Sequence, residues 1–413
     1  MIRVSPHLDR LALALLLGAA TATLAVNLAP AAYYDAIEYR LLPDLALFPR
    51  LTPQTLVTQG LMALFLFVLG KEFFESLRLE KGILAAPAQK RLIAPALFGA
   101  LCLPLFLWSV TGLLGLSDLP GIAGWSLCLG ADLALAWAFG RRIFGPGHPA
   151  LPLLLFLALA LDMIAAGGIA AERLTLALTA LLPSPEVPDS ANRLAGAAKL
   201  LWLLPAALAP LVYRARFAPT GPSERQHQRG QALAPILVTA LITWASVLMA
   251  GLPAALALLP LIPLIPHAAH GLGLFAEAEN RLQDPLNRLE ARILPLLPVV
   301  AFLFGLTAGG VDFAILGPDV ARTLGALALR PVGLLLGIGL GIGLMGARLP
   351  PGLRLRDLVL VALLLAPGLT LPLLALDQGL GGGGAAGGAR AGLALSLLFG
   401  PLALGLARLM RPS

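Results

Sequence analysis

Apolar residues run along this chain in long, unbroken stretches, separated by short polar segments. A helix crosses the hydrocarbon core in about 20 residues, and inside lipid only helices and closed barrels satisfy their backbone. The stretches show no period-two alternation, so they read as helices and not as barrel strands. Twelve spans are predicted, near 11–29, 54–74, 91–114, 120–140, 149–170, 194–213, 231–250, 252–266, 293–311, 320–346, 357–376 and 391–408. The eighth is short and rich in proline, and the tenth is long. The first is too long for a cleaved signal and has no clear cleavage site. The pattern therefore defines an all-α polytopic membrane protein, read as a single integral membrane domain over 1–413.

The connections add less. Segment 30–53 reads as an external loop or hairpin, and 172–193 as a second external excursion. Segment 271–292 reads as an interfacial helix leading into the ninth span, and Gly379 to Gly388 as flexible low-complexity chain.

Composition agrees with the span pattern. Of 413 residues, 58% are apolar and 12% charged, against roughly 25% charged in soluble domains. The 29 Lys and Arg against 22 Asp and Glu do not indicate nucleic acid, because the basic residues sit in short segments between spans. Most fall on one side; only Arg40, Arg50, Arg173, Arg193, Lys199, Arg322 and Arg390 are assigned to the other. That bias predicts that both termini are cytoplasmic. Cys102 and Cys128 lie in apolar runs and make no disulfide framework.

Charges inside spans are expensive and mark function by default. Asp132 and Asp162 sit in mid-run, and Arg330 interrupts the tenth span before Pro331. Two acids and a base at membrane depth suggest either an ion pair that fixes packing or an ion or proton site. Helix breakers favour the second: Gly130 precedes Asp132, and the eleventh span contains Pro367 and Gly368, followed by Thr370 and Pro372. Broken helices at mid-membrane point to a transporter site, where Asp132 and Arg330 can compensate the exposed helix ends. Lys71, Glu72 and Glu75 mark the cytoplasmic end of the second span, where snorkelling makes charge cheap.

Other motifs carry little. Gly341 to Gly346 fits a dinucleotide pattern but follows no strand, and the spacing of Gly333, Gly337 and Gly341 reads as helix packing. His267 and His270 form a weak metal pair without further ligands. The five tryptophans read as anchors or packing residues. No nucleophile triad, P-loop or carboxylate pair emerges, so no enzyme and no cofactor is expected.

The ordered motifs do carry a resemblance. Gly70-Lys71-Glu72, Gly124-Trp125-Ser126 through Ala131-Asp132-Leu133-Ala134, Arg288-Leu289-Glu290, Arg330-Pro331-Val332-Gly333 and Gly368-Leu369-Thr370 resemble, in order, motifs of the NhaA family of sodium/proton antiporters. The resemblance implies a twelve-span fold of inverted repeats with crossed broken helices, which exchanges Na+ or Li+ for protons by alternating access. It also implies that Glu72 and Glu290 line a cytoplasmic funnel, that Asp162 is the sodium and proton site, and that a homodimer is one assembly to test. Segment 30–53 does not clearly carry the hairpin through which the family often pairs.

The departures fall on the chemistry. The family's second span-five aspartate is Met163 here, and a thioether is a poor sodium ligand. The family's lysine is Arg330, whose guanidinium keeps its proton. The broken-helix threonine is Ala131, and a span-eight histidine falls on Pro253. An Asp162–Arg330 salt bridge would hold the acid ionised, so altered or weakened exchange is expected. Two alternatives stay open: a non-transporting scaffold or sensor on this fold, and an organic-anion carrier using Arg330.

Overall fold

The structure is a computed structural model that describes residues 5–41, 51–78, 87–117, 124–182, 190–217, 232–265, 285–379 and 384–410. Every regular element among these residues is helical. In chain order they are α1 (Ser5–Leu28), α2 (Pro30–Ile37), α3 (Met62–Arg78), α4 (Pro87–Leu113), α5 (Leu133–Phe144), α6 (Ala150–Thr179), α7 (Ser190–Leu200), α8 (Leu203–Phe217), α9 (Leu233–Met249), α10 (Pro285–Ile293), α11 (Leu297–Ala308), α12 (Asp319–Met345), α13 (Leu355–Leu364), α14 (Thr370–Gly379), α15 (Gly384–Ser396) and α16 (Phe399–Leu409). A π-helical stretch, Leu56–Leu61, leads into α3, and short 3-10 turns lie at Trp125–Cys128, Ala254–Leu256, Leu259–Leu264 and Leu294–Leu296.

Among the described residues, eight helical stretches are long and apolar enough to cross a membrane: His7–Leu28, Pro53–Leu77, Lys90–Leu113, Ala150–Thr179, Gly196–Phe217, Pro285–Ala308, Asp319–Met345 and Ala385–Leu409. The other apolar stretches are shorter or interrupted. The chain is thus a multi-pass membrane protein, helical in every regular element among the described residues.

Two expectations need correction. The predicted eighth span is not an α-helix: Pro253, Pro260 and Pro263 remove backbone donors, and the segment forms 3-10 turns instead. The glycine-rich stretch is not all flexible, since Gly384 to Gly388 open α15. Lacking Cβ atoms, Gly387 and Gly388 let that helix approach Ile315 and Asp319 closely. Of the proposed interfacial segment, the described part is α10; His267 and His270 lie outside the described residues.

Contacts divide the chain into two compact units. The first comprises Met1–Ile37, Glu75–Ile169 and Ala301–Ser413, and the second Glu38–Phe74 and Ala170–Val300. In the first unit, α12 packs most extensively on α4. The sequence explains the closeness. A methyl group on Gly333 would overlap the carbonyl of Gly99, one on Gly337 that of Pro95, and one on Gly341 that of Arg91. Small residues four apart form the flat stripe that lets two helices touch backbone to backbone where no hydrophobic effect drives them together. Gly337→Val is therefore expected to lower stability by at least about 2–3 kcal/mol. Thermal denaturation in detergent checks this against Gly339→Ala, a position where added carbon meets nothing within 4 Å.

In the second unit, α9 packs on α8. Gln59 ties three elements together there. Its carbonyl accepts from Trp244 Nε1 (2.7 Å), and its Oε1 accepts from the Ala254 backbone N–H (2.8 Å). The backbone carbonyl of Gln59 thus satisfies an indole, and its side-chain amide the start of a proline-broken turn, groups that lipid would leave orphaned.

Candidate ion-binding site

Two interrupted segments of the first unit meet. One runs from the Trp125–Cys128 turn through Leu129, Gly130 and Ala131 into α5; the other runs from α13 through Ala366, Pro367 and Gly368 into α14. At the meeting point the Asp132 backbone N–H donates to the Pro367 carbonyl (3.1 Å). A Cβ on Gly368 would overlap the Gly130 carbonyl, and one on Gly130 would crowd Pro372 and Leu371. The absence of side chains at both glycines is what permits the approach. α6 runs alongside: Gly168 faces Leu129 and Trp125, and Ala165 faces Gly130.

Interrupting a helix exposes a positive end where it restarts and a negative end where it stops. Asp132 answers the positive ends. It is 2% exposed, caps α5 by accepting the Leu135 N–H at Oδ1 (3.0 Å), and accepts the hydroxyl of Thr370, the first residue of α14, at Oδ2 (2.6 Å). Arg330, fully buried on α12, answers the negative ends. Its guanidinium donates to the Cys128 carbonyl (2.8 Å) and to the carbonyls of Leu365 (2.9 Å) and Ala366 (3.3 Å). One base and one acid neutralise four helix ends.

Asp162 stands near the middle of α6, also 2% exposed. The expected Asp162–Arg330 salt bridge is absent among the described residues: no side chain pairs with Asp162, its buried Oδ1 has no partner, and its hydrogen-bonding contacts are with the backbone of Ala131 and Leu133 at the α5 break. The guanidinium is instead taken up by the three carbonyls, which a sequence does not place next to it. Asp132, Arg330 and the backbone around the α5 break lie within electrostatic range of the Asp162 carboxylate. Met163 is only partly buried, and Ala131, Pro367 and Gly368 are buried within the breaks. Pro253, the residue at the family's histidine position, belongs to the second unit and precedes its 3-10 turn.

Glu72 and Glu290, both buried, belong to the second unit. Lys71 does not snorkel: it is fully buried and its Nζ makes an ion pair with Glu290 Oε2 at 2.5 Å. Sequence reading missed this pair because 219 residues separate its members. Removing one member of a buried pair strands the other charge. Lys71→Met is therefore expected to destabilise by about 3–5 kcal/mol, and adding Glu290→Gln should recover much of that. A double-mutant cycle on melting temperatures measures it.

Arg322 also needs correction. Counted from the sequence as an external loop charge, it is 3% exposed. It donates to Ser117 Oγ (2.5 Å) and the Trp108 carbonyl (2.7 Å) and lies 4.0 Å over the Trp108 ring. Ser117 in turn donates to Asp319 (2.5 Å). The spacing of Asp319 and Arg322, one turn apart at the head of an apolar run, was the available signal. No cluster of three or more metal-ligating side chains occurs among the described residues.

Fold and site together define a multi-pass helical membrane protein with a buried carboxylate beside two facing helix breaks. A family profile described as Na+/H+ antiporter 1 matches residues 7–172 and 223–404, and the chain belongs to that family. It is similar to the Na(+)/H(+) antiporter NhaA of Jannaschia sp. (strain CCS1), 32% identical over 341 residues, covering 78% of this chain and 75% of the relative. It is also similar to Na(+)/H(+) antiporter NhaA 2 of Pelobacter propionicus, 30% identical over 264 residues, covering 63% and 62%. The Na(+)/H(+) antiporter NhaA of Geobacter metallireducens is 28% identical over 401 residues, covering 96% of this chain and 95% of the relative.

Proposed function

We propose that this protein is a secondary transporter that exchanges Na+ or Li+ for H+ by alternating access. Its frame is a single membrane domain of twelve spans in inverted repeats, with both termini cytoplasmic in a bacterial inner membrane. The single observation that carries the reading is the state of Asp162: a carboxylate sealed within protein, with no side-chain partner and a bare Oδ1, beside two helix breaks whose own charges are already answered. A buried carboxylate with no cationic partner must take up a cation or a proton, because an unbalanced charge in so dry a place is too costly. Sodium and proton thus compete for one group, which is the minimum that antiport requires.

Asp132 and Arg330 are assigned to holding the breaks together, with Gly130, Ala131, Pro367, Gly368 and Thr370 forming them. Glu72 and Glu290 are assigned to the cytoplasmic approach. With both terminal nitrogens of Arg330 given to backbone carbonyls and its Nε left unpartnered, the guanidinium offers no two-pronged hold on an organic anion and no lock on Asp162, so retained exchange is favoured over a scaffold. The test is a cation pulse to proteoliposomes containing a pH-sensitive dye. Na+ and Li+ should each move protons; flux driven only by small organic anions, or none at all, contradicts the reading.

A further inference from the structure

The same geometry bears on how many charges move. We propose that the exchange is electroneutral, with one monovalent cation moving against one proton and both carried in turn by Asp162. The inference rests on the cation/proton reading above and adds the stoichiometry.

The argument is a charge inventory of the site. Arg330 contributes one positive charge that it cannot release at ordinary pH, and three carbonyls hold the guanidinium in place. Asp132 contributes one negative charge, with each carboxylate oxygen receiving a donor from a different helix start. Protonating Asp132 would remove the counter-charge of two helix ends at once, so it serves the frame. Cys128 keeps its thiol hydrogen pointed at the Trp125 carbonyl (2.9 Å). The neighbouring position is Met163, which can bind neither a proton nor, usefully, sodium. Elsewhere in the described interior, Glu290 is neutralised by Lys71. Asp319 receives the Ser117 hydroxyl, and Asp357 receives the Arg354 backbone N–H. Glu72 and Glu75 lie in the last two turns of α3, outside the breaks.

Asp162 is the one carboxylate left to change state at the breaks. When it releases its proton it gains one negative charge, and when it binds Na+ that charge is cancelled. The proton-loaded and sodium-loaded sites therefore carry the same net charge. Each half of the cycle moves a neutral unit, and a membrane potential has no net charge to act on.

Proteoliposomes clamped with potassium and valinomycin test this. The initial rate of Na+-driven proton flux should be the same, within twofold, at zero and at inside-negative potential. Without a clamp, a sodium gradient should produce a pH change and no signal from a potential-sensitive dye. A rate that changes several-fold with the clamp, or a potential generated by the sodium gradient, overturns electroneutrality while leaving antiport intact. No flux at either clamp removes the antiport reading itself, and electroneutrality with it. A second arm uses Met163→Asp, which restores a second carboxylate. Its exchange should become sensitive to the clamp; a transporting variant as insensitive as the wild type overturns the claim that carboxylate number sets the charge moved.

Discussion

Asp162→Asn abolishes Na+- and Li+-driven proton flux, to at least a hundredfold below the wild-type rate, and leaves the protein as stable as before or more so. The two halves of this expected result have one cause. The native carboxylate forms no ion pair, its Oδ1 is unpartnered, and its hydrogen bonds come from backbone N–H groups at the α5 break, so an isosteric amide, whose oxygen can still accept them, removes no stabilising contact. It does remove a group whose charged form is costly to bury. Function is lost because an amide neither binds a proton at ordinary pH nor offers a charge to sodium. Transport and melting temperature measured on the same preparation check both halves. Asp162→Glu, which keeps the charge on a longer arm, should retain part of the flux. If Asp162→Asn kept wild-type flux, the ion path would lie elsewhere.

Arg330→Leu has the opposite signature, a large loss of stability. Three backbone carbonyls from two different helix stops converge on the guanidinium, and a leucine leaves them buried without donors. At about 1–2 kcal/mol for each orphaned group, the expected destabilisation is about 3–6 kcal/mol. Asp132 would also keep a negative charge with no nearby cation to balance it. Arg330→Lys should fall between, because an ammonium presents three donors from a point and cannot match the planar reach of the fork. Melting curves of the three proteins rank them; a leucine variant as stable as wild type would mean the breaks hold without Arg330.

The sequence made the helical class and the charged breaks legible for physical reasons. Lipid demands long apolar runs, so the spans stand out. Buried charge and mid-span proline or glycine are rare enough that Asp132, Asp162, Arg330 and the Pro367–Gly368 break announce themselves. The helix-packing stripe at Gly333, Gly337 and Gly341 was legible because its four-residue spacing has one geometric meaning on a helix.

What stayed hidden depended on which groups meet in space. Arg330 looked like the partner of Asp162 because charges are visible in a sequence, whereas the carbonyls of Cys128, Leu365 and Ala366 are common to every residue. Lys71 looked like an interface anchor because Glu290 lies on a distant helix. Arg322 looked like a loop charge because Trp108 on α4 and Ser117 just beyond it, which bury it, lie 214 and 205 residues away in sequence. The run 252–266 was apolar enough for a helix, yet its prolines decided the backbone. Hydropathy measures burial and is silent on hydrogen bonds.

The central claim is that sodium and proton share the Asp162 carboxylate. Equilibrium binding of radioactive sodium to the purified protein, across a range of pH, tests it most directly. Saturable binding to wild type that weakens as protons are added, and that disappears in Asp162→Asn, is the expected result. Saturable sodium binding that persists unchanged in Asp162→Asn would contradict it.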